Sequence, residues 1–220
     1  MIDLLENDNI HLCDDNIYRK AIMNHLLVDV NYLSKDSIVF DLGGYVGDYA
    51  SKISDICKCK IFLFEPIKNS YDKCVERFNS DDDVKCFDFG LGVKTETIKI
   101  SENGASSSSF SVKKNEMKDK IECDIRNFHH FMQENNINHI DLLKINIEGG
   151  EFDLLDYLLK DDRILKIKKF QIQFHHFVEN AEQRRDKIRE KLWDTHKNSW
   201  CTDVGSDPFY WKWEEWDIKK

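Results

Sequence analysis

The sequence predicts an α/β protein: a mostly parallel sheet with helices on both faces, ending in a C-terminal antiparallel hairpin. Two observations carry that prediction. Short, continuously apolar runs alternate with segments of helical period, the pattern of strands buried on both faces. Seven of the nine glycines, Gly43, Gly44, Gly47, Gly90, Gly92, Gly149 and Gly150, sit just behind those runs.

The elements follow in order. Residues 15–33 place Ile17, Ala21, Leu27 and Val28 at helical spacing, an N-terminal helix. "SIVFDL" reads as a buried strand, "DYASKISDICK" as a helix and "CKIFLFEP" as a second buried strand. "IKNSYDKCVERFNS" sets Ile67, Tyr71, Cys74, Val75 and Phe78 on one helical face, and "DVKCFDFG" is a third strand. "KTETIKIS" alternates like a half-exposed strand, and the small, polar "NGASSSSFSV" is a loop. "DIRNFHHFMQENN" is a helix opening on an Asp124 cap. "IDLLKINI" is a strand with its helix in "GGEFDLLDYLLKDDRIL" behind it; "KKFQIQFHHF" is a strand, and "ENAEQRRDKIREKLWDTH" a charged helix. Residues 197–220 form the hairpin, turning near "GSDP". The whole is a Rossmann-like domain over 37–220, with 1–36 a helical segment packed on its core.

Composition narrows the function. Against 32 basic residues stand 41 acidic ones, a net charge of −9, which argues against a nucleic-acid groove as the main surface and points to a small or neutral substrate. Seven cysteines, at 13, 57, 59, 74, 86, 123 and 201, show no paired CxxC spacing. That excludes a disulfide framework and a structural zinc site, and suggests a reducing cytoplasm. No apolar stretch approaches the roughly 20 residues of a membrane span.

Glycines at the carboxyl ends of parallel strands permit tight turns and close backbone approach, and ligands bind along that rim. The turn "DLGGYVG" is not the GxGxxG of dinucleotide binders, because Tyr45 takes the second glycine's place. Asp41 at its head repels a pyrophosphate and attracts an ammonium. Glu65 ends the second strand, where an acid accepts from ribose hydroxyls. Ribose, ammonium, sulfonium and no phosphate describe S-adenosylmethionine. At the third strand's end Asp88 is placed to meet an adenine amino group and Phe89 to cover its face.

These pieces, "VFDLGGYVGDY", "FEP", "GLG", "SSSSF", "DLLKINIEGGEFDLL" and "QIQFHHF", resemble the FkbM-type family of S-adenosylmethionine-dependent methyltransferases of the class I, Rossmann-like fold. "LLKINIEGGE" is the most specific. The resemblance implies a cofactor lying along Asp41 to Tyr49, including Gly43, Gly44 and Gly47, then by Glu65 and over Asp88, Phe89 and Gly90. It implies an acceptor above the ends of the fourth and fifth strands, and O-methylation of a sugar, glycan or other small molecule, as in surface-polysaccharide synthesis. Two positions depart from the family pattern: Asn146 stands where K-x-D-x-E-G has its acid, and Gln173 where a Glu is frequent. Asn146 can still accept from an ammonium or a hydroxyl but cannot take up a proton.

Methyl transfer to a hydroxyl needs alignment and a base within hydrogen-bond reach. His175, half-titrated near neutral pH, is the preferred base; Glu148 either orients the acceptor or is the base itself. Lys144 pairs with a carboxylate or snorkels. Phe209, Trp211 and Trp213 alternate along the tail as a packed face or a subunit contact, the latter in a homodimer. No metal is expected. Three other readings compete. A nicotinamide enzyme lacks its glycine motif, a DNA amino-methyltransferase lacks its prolines after the fourth strand, and a non-catalytic cofactor-binding partner protein is made credible by Asn146 and Gln173.

Overall fold

The computed structural model describes residues 30–101, 120–201 and 212–220. A seven-stranded sheet runs in the order β3-β2-β1-β7-β8-β10-β9. Its strands are β1 (Ile38–Leu42), β2 (Lys60–Phe64), β3 (Val84–Phe87), β7 (Leu142–Ile145), β8 (Lys169–Phe174), β9 (His196–Cys201) and β10 (Lys212–Ile218). The five from β3 to β8 are parallel, and β10 lies antiparallel to both β8 and β9. The helices are α1 (Asp48–Cys57), α2 (Lys68–Arg77), α3 (Phe128–Glu134), α4 (Glu151–Leu158) and α5 (Ala181–Thr195).

Alternation along β1 explains why both faces are covered. Phe40 and Leu42 pack into one core cluster and Val39 into another, all fully buried. The first cluster concentrates phenylalanines: α3 drives Phe131 edge-on into Phe64 and Phe87, with centroids 5.0 and 5.1 Å apart. Each such ring contributes roughly 1.5–3 kcal/mol by leaving water. The second cluster holds Val39, Tyr49, Ala50, Ile53, Ile61 and Leu63, with Val30 and Leu33 against it.

Three expectations need correction. The helix expected to open on Asp124 begins at Phe128, capped by Asn127, whose side chain accepts from His130 N at 2.9 Å. Residues before it form β6 (Lys120–Asn127), because alternation and pairing with β5 (Glu96–Ser101) prevail over helical spacing. With β4 (Gly90–Gly92), these make a separate three-stranded sheet, β4-β6-β5. Asp124 instead accepts from Thr97 Oγ1 at 2.8 Å across that sheet. Val75 is 42% exposed, since α2 buries Ser70 and Cys74 and turns its neighbouring face to solvent. Finally, "GGEFDLLDYLLKDDRIL" is interrupted: α4 stops at Leu158, and a 3₁₀ turn capped by Asp161 covers Asp162–Lys166.

Residues 15–29 of the expected N-terminal helix, the serine run 106–109, Phe209, Trp211 and the "GSDP" turn lie outside the described residues. Residues 31 and 32 form a turn. Trp213 and Trp216 are buried in the core, as packing residues of the hairpin.

Candidate active site

The chain's own backbone supplies the first answer to why the β1 turn is so rich in glycine. A Cβ on Gly43 would stand 1.9 Å from the carbonyl oxygen of Asn146, and Gly43 has φ of +77°. No L-residue fits that position comfortably. Gly44 is pressed by the Leu63 side chain, Gly47 by Phe78, and Gly90 and Gly92 by Ile125. The glycines therefore bring strand ends together, and the space they leave lies beside them.

Backbone amides and a carbonyl of the turn are tied to its neighbours. Gly43 N and Gly44 N both donate to Phe64 O, at 3.0 and 3.1 Å. Tyr45 N donates to Glu65 Oε2 at 2.8 Å, and Ile67 N to Glu65 Oε1 at 2.9 Å. Burial pushes the Glu65 carboxyl up to about 7 against the opposing pull of those two amides. On the other side Lys144 Nζ reaches Asp41 Oδ1 at 2.8 Å and Gly43 O at 2.7 Å. Tyr45 holds φ of +51° and stands 41% exposed at the rim.

A cavity of about 560 Å³ opens beside this turn, between the carboxyl rim of the main sheet, the three-stranded sheet and α4, within the range of small-molecule sites. Five of the predicted residues line it: Gly43, Glu65, Gly90, Asn146 and Glu148. Asn146 Oδ1 is buried and has no hydrogen-bond partner among the described residues. Glu148 holds a left-handed φ of +52°, followed by Gly149 at +104°. Glu148 thus holds, at the cavity wall, a backbone conformation that side chains rarely adopt.

Other predicted residues lie elsewhere. Phe89 is 4% exposed inside the phenylalanine cluster, with the Arg126 guanidinium 3.7 Å above its ring, so its face is already covered. Asp88 is exposed and outside the cavity lining. Tyr49 is a core residue whose hydroxyl donates to Gln171 Oε1 at 2.8 Å; burial drives its phenol well above the usual range. Asp41 is fully buried and taken up by Lys144. Gln173 is buried in β8 opposite Trp213, so its departure from the family pattern concerns packing rather than the cavity.

His175 lies behind the cavity wall. It is fully enclosed, with Nδ1 at 3.0 Å from Glu151 Oε1 and Nε2 at 3.5 Å from Glu148 Oε2. Burial alone would lower its pKa, but hydrogen bonds and charge from the two carboxylates prevail and raise it to about 9. Both ring nitrogens face carboxylates and the ring is absent from the cavity lining, whereas a base has to reach the acceptor hydroxyl. Glu151, itself fully buried, also accepts from Gly149 N at 2.8 Å and His175 N at 2.9 Å. His175 and Glu151 thus form a charged brace behind Glu148, the carboxylate that reaches the cavity.

Sequence reading missed the far wall. Ile98, Ile100 and Ile125 from the three-stranded sheet, Asp153, Asp156 and Tyr157 along α4, and Lys160 just beyond it belong to the lining. Arg184 donates to Asp153 and Asp156, at 2.7 and 3.0 Å, which offsets part of the negative charge of that edge. The alternation of "TETIKIS" marks an apolar strand face but does not say what it faces. Among the described residues no group of three or more His, Cys, Asp and Glu could hold a metal ion.

Solved structures with this architecture are class I methyltransferases. The chain is 13% identical to M. capricolum TrmK, solved with S-adenosylhomocysteine, with a TM-score of 0.51 over 96% of this chain and 70% of that one. It is 10% identical to an rRNA methylase from Streptococcus thermophilus, at a TM-score of 0.52 over 86% and 91% of the two chains. Against Aeropyrum pernix fibrillarin, solved with bound S-adenosylmethionine, identity is 9% and the TM-score 0.51 over 90% and 73%. At these identities the likeness establishes the fold. No curated protein matches the sequence significantly. The model of the FkbM methyltransferase domain matches residues 41–198, and the chain belongs to that family, whose methyl donor is S-adenosylmethionine.

Proposed function

We propose that this protein transfers a methyl group to a hydroxyl of a sugar, glycan or similar small molecule, with Glu148 as the base. The observation that carries the reading is that one cavity joins Glu65 to Asn146 and Glu148. Glu65, fixed by two backbone amides, suits a pair of ribose hydroxyls. The unsatisfied Asn146 Oδ1 suits an ammonium, since a buried acceptor without a donor is costly. Both fit S-adenosylmethionine, which when bound supplies a methyl group already activated by its sulfonium.

Glu148 has the remaining task. As the acceptor oxygen forms its bond to the methyl carbon and the carbon–sulfur bond breaks, the hydroxyl proton passes to the Glu148 carboxylate. His175, carrying its own proton, holds that carboxylate in place. Asp153, Asp156, Tyr157 and Lys160 provide a polar wall suited to a polyhydroxylated acceptor, which favours a sugar and with it a role in cytoplasmic assembly of surface glycans.

The test is methyl transfer from labelled S-adenosylmethionine to a panel of sugars and nucleotide sugars, comparing wild type with Glu148→Gln. Label in an ether-linked methyl, lost in the variant while S-adenosylhomocysteine still binds, supports the reading. Cofactor binding with no transfer to any acceptor would instead favour a non-catalytic partner protein.

A further inference from the structure

Beneath the glycine turn a polar ladder crosses the sheet. Asp41 of β1 is in register with Lys144 of β7, Lys144 with Gln171 of β8, and Gln171 with Glu215 of β10. All four are buried. Gln171 Nε2 donates to Glu215 Oε2 at 2.7 Å, and Lys169 Nζ to Glu215 Oε1 at 2.8 Å. Within this ladder one residue touches the cofactor turn itself. Lys144 Nζ donates to Asp41 Oδ1 at 2.8 Å, to Gly43 O at 2.7 Å and to Leu42 O at 3.3 Å. An ammonium has three donors, and all three are spent on the last residues of β1 and the first of the turn.

We propose that Lys144 is a positioning residue for the cofactor: its buried ammonium fixes the glycine turn through the carbonyls of Leu42 and Gly43. The inference rests on the reading that this turn holds S-adenosylmethionine. A buried ion pair by itself is weak evidence for stability, because well-packed apolar residues often replace one without loss. Neutralising Asp41 would need only one of the three bonds. The other two go to backbone oxygens whose direction sets the course of the chain past Gly43, the residue jammed against Asn146.

A second consequence concerns the cofactor's amino group. Asp41 does not line the cavity, and Lys144 already occupies one of its oxygens. The built-in ammonium of Lys144 therefore takes the part expected of the ligand's, and the ligand's is left to the unpartnered Asn146 Oδ1. Lys144 lies on the same short strand end as Asn146. It thus holds the turn on one side of the cofactor site to the acceptor on the other.

The double variant Asp41→Asn/Lys144→Met separates the two roles, because it deletes both buried charges together and leaves no ion without its partner. Two measurements are made on wild type, Lys144→Met and the double variant: calorimetry with S-adenosylhomocysteine, and backbone amide exchange by mass spectrometry without ligand. The expected result is a folded double variant in which peptides over residues 42–47 exchange at least about tenfold faster. Peptides over β8 should be unchanged, and affinity for S-adenosylhomocysteine should fall at least about tenfold. Unchanged exchange over 42–47 overturns the inference, as does a double variant that no longer folds, since either makes Lys144 part of the scaffold only. Wild type that exchanges as expected but binds no S-adenosylhomocysteine refutes the functional reading, while the exchange comparison still decides the role of Lys144.

Discussion

Replacing Gly43 by Ala should be among the most damaging single-methyl changes in this chain, and its size follows from two terms. The residue sits at φ of +77°, where an L-side chain costs roughly 1–2 kcal/mol. The added Cβ would lie 1.9 Å from Asn146 O, far inside any contact distance, and the obstacle is backbone at the end of β7. Forcing that strand end away adds roughly 1–3 kcal/mol, the usual cost of overpacking. Together they give about 3 kcal/mol, hence a fall in thermal midpoint of about 6–12 °C at the scale expected for a chain this long. Gly44→Ala serves as comparison, because the atoms nearest its Cβ belong to the Leu63 side chain, at 2.5 Å, rather than to backbone, and its φ is not left-handed. Differential scanning calorimetry of the three proteins measures this. A Gly43→Ala protein melting within about 2 °C of wild type would refute the reasoning that backbone crowding dictates the glycine.

Further predictions concern the titrating groups. His175 is raised from 6.5 to about 9 in the folded state, so its contribution is fully present below about 6.5 and is lost as pH rises through about 9. His175→Gln should therefore be less stable than wild type by about 3 kcal/mol near pH 6, at roughly 1.36 kcal/mol per tenfold change in proton affinity, with the gap closing towards pH 10 in urea titrations. A gap that widens with pH would contradict the charged brace. Glu65 is raised to about 7 by burial, so its ionised form costs folding stability that grows between its unfolded value, near 4.5, and 7. Because the ionised form is the better acceptor for ribose hydroxyls, affinity for S-adenosylhomocysteine should rise between pH 6 and 8; Glu65→Gln should bind weaker and without that slope, by calorimetry. Glu148→Gln should lose about 10²–10⁴ in turnover, the usual share of a general base, with affinity for S-adenosylhomocysteine little changed.

The parallel half of the fold is legible in the sequence because its strands are buried on both faces and read as unbroken apolar runs, as in "IVFDL" and "IFLF". The hairpin is legible too, from a closing segment with the turn signal "GSDP" between its arms. The three-stranded sheet is not. Its β6 carries Asp124, Arg126 and Asn127 among apolar residues at a spacing a helix also satisfies, and only pairing with β5 settles the matter. At the site, Glu65, Asn146 and Glu148 follow from position at a strand end, which the sequence shows. His175 does not, because its role depends on Glu151, a residue placed 24 positions away in the chain by α4. Nor does anything local reveal that Arg126 lies over the Phe89 ring. Apolar periodicity locates elements, but which polar groups meet across them is a tertiary fact.

Titration calorimetry of the intact chain with S-adenosylhomocysteine, run beside NADH, tests the central claim most directly. Saturable one-to-one binding of the sulfur nucleoside, weakened in Glu65→Ala, with no heat from the dinucleotide, is the result predicted. Binding of NADH instead, or no heat from S-adenosylhomocysteine under any condition where the protein is folded, would contradict it.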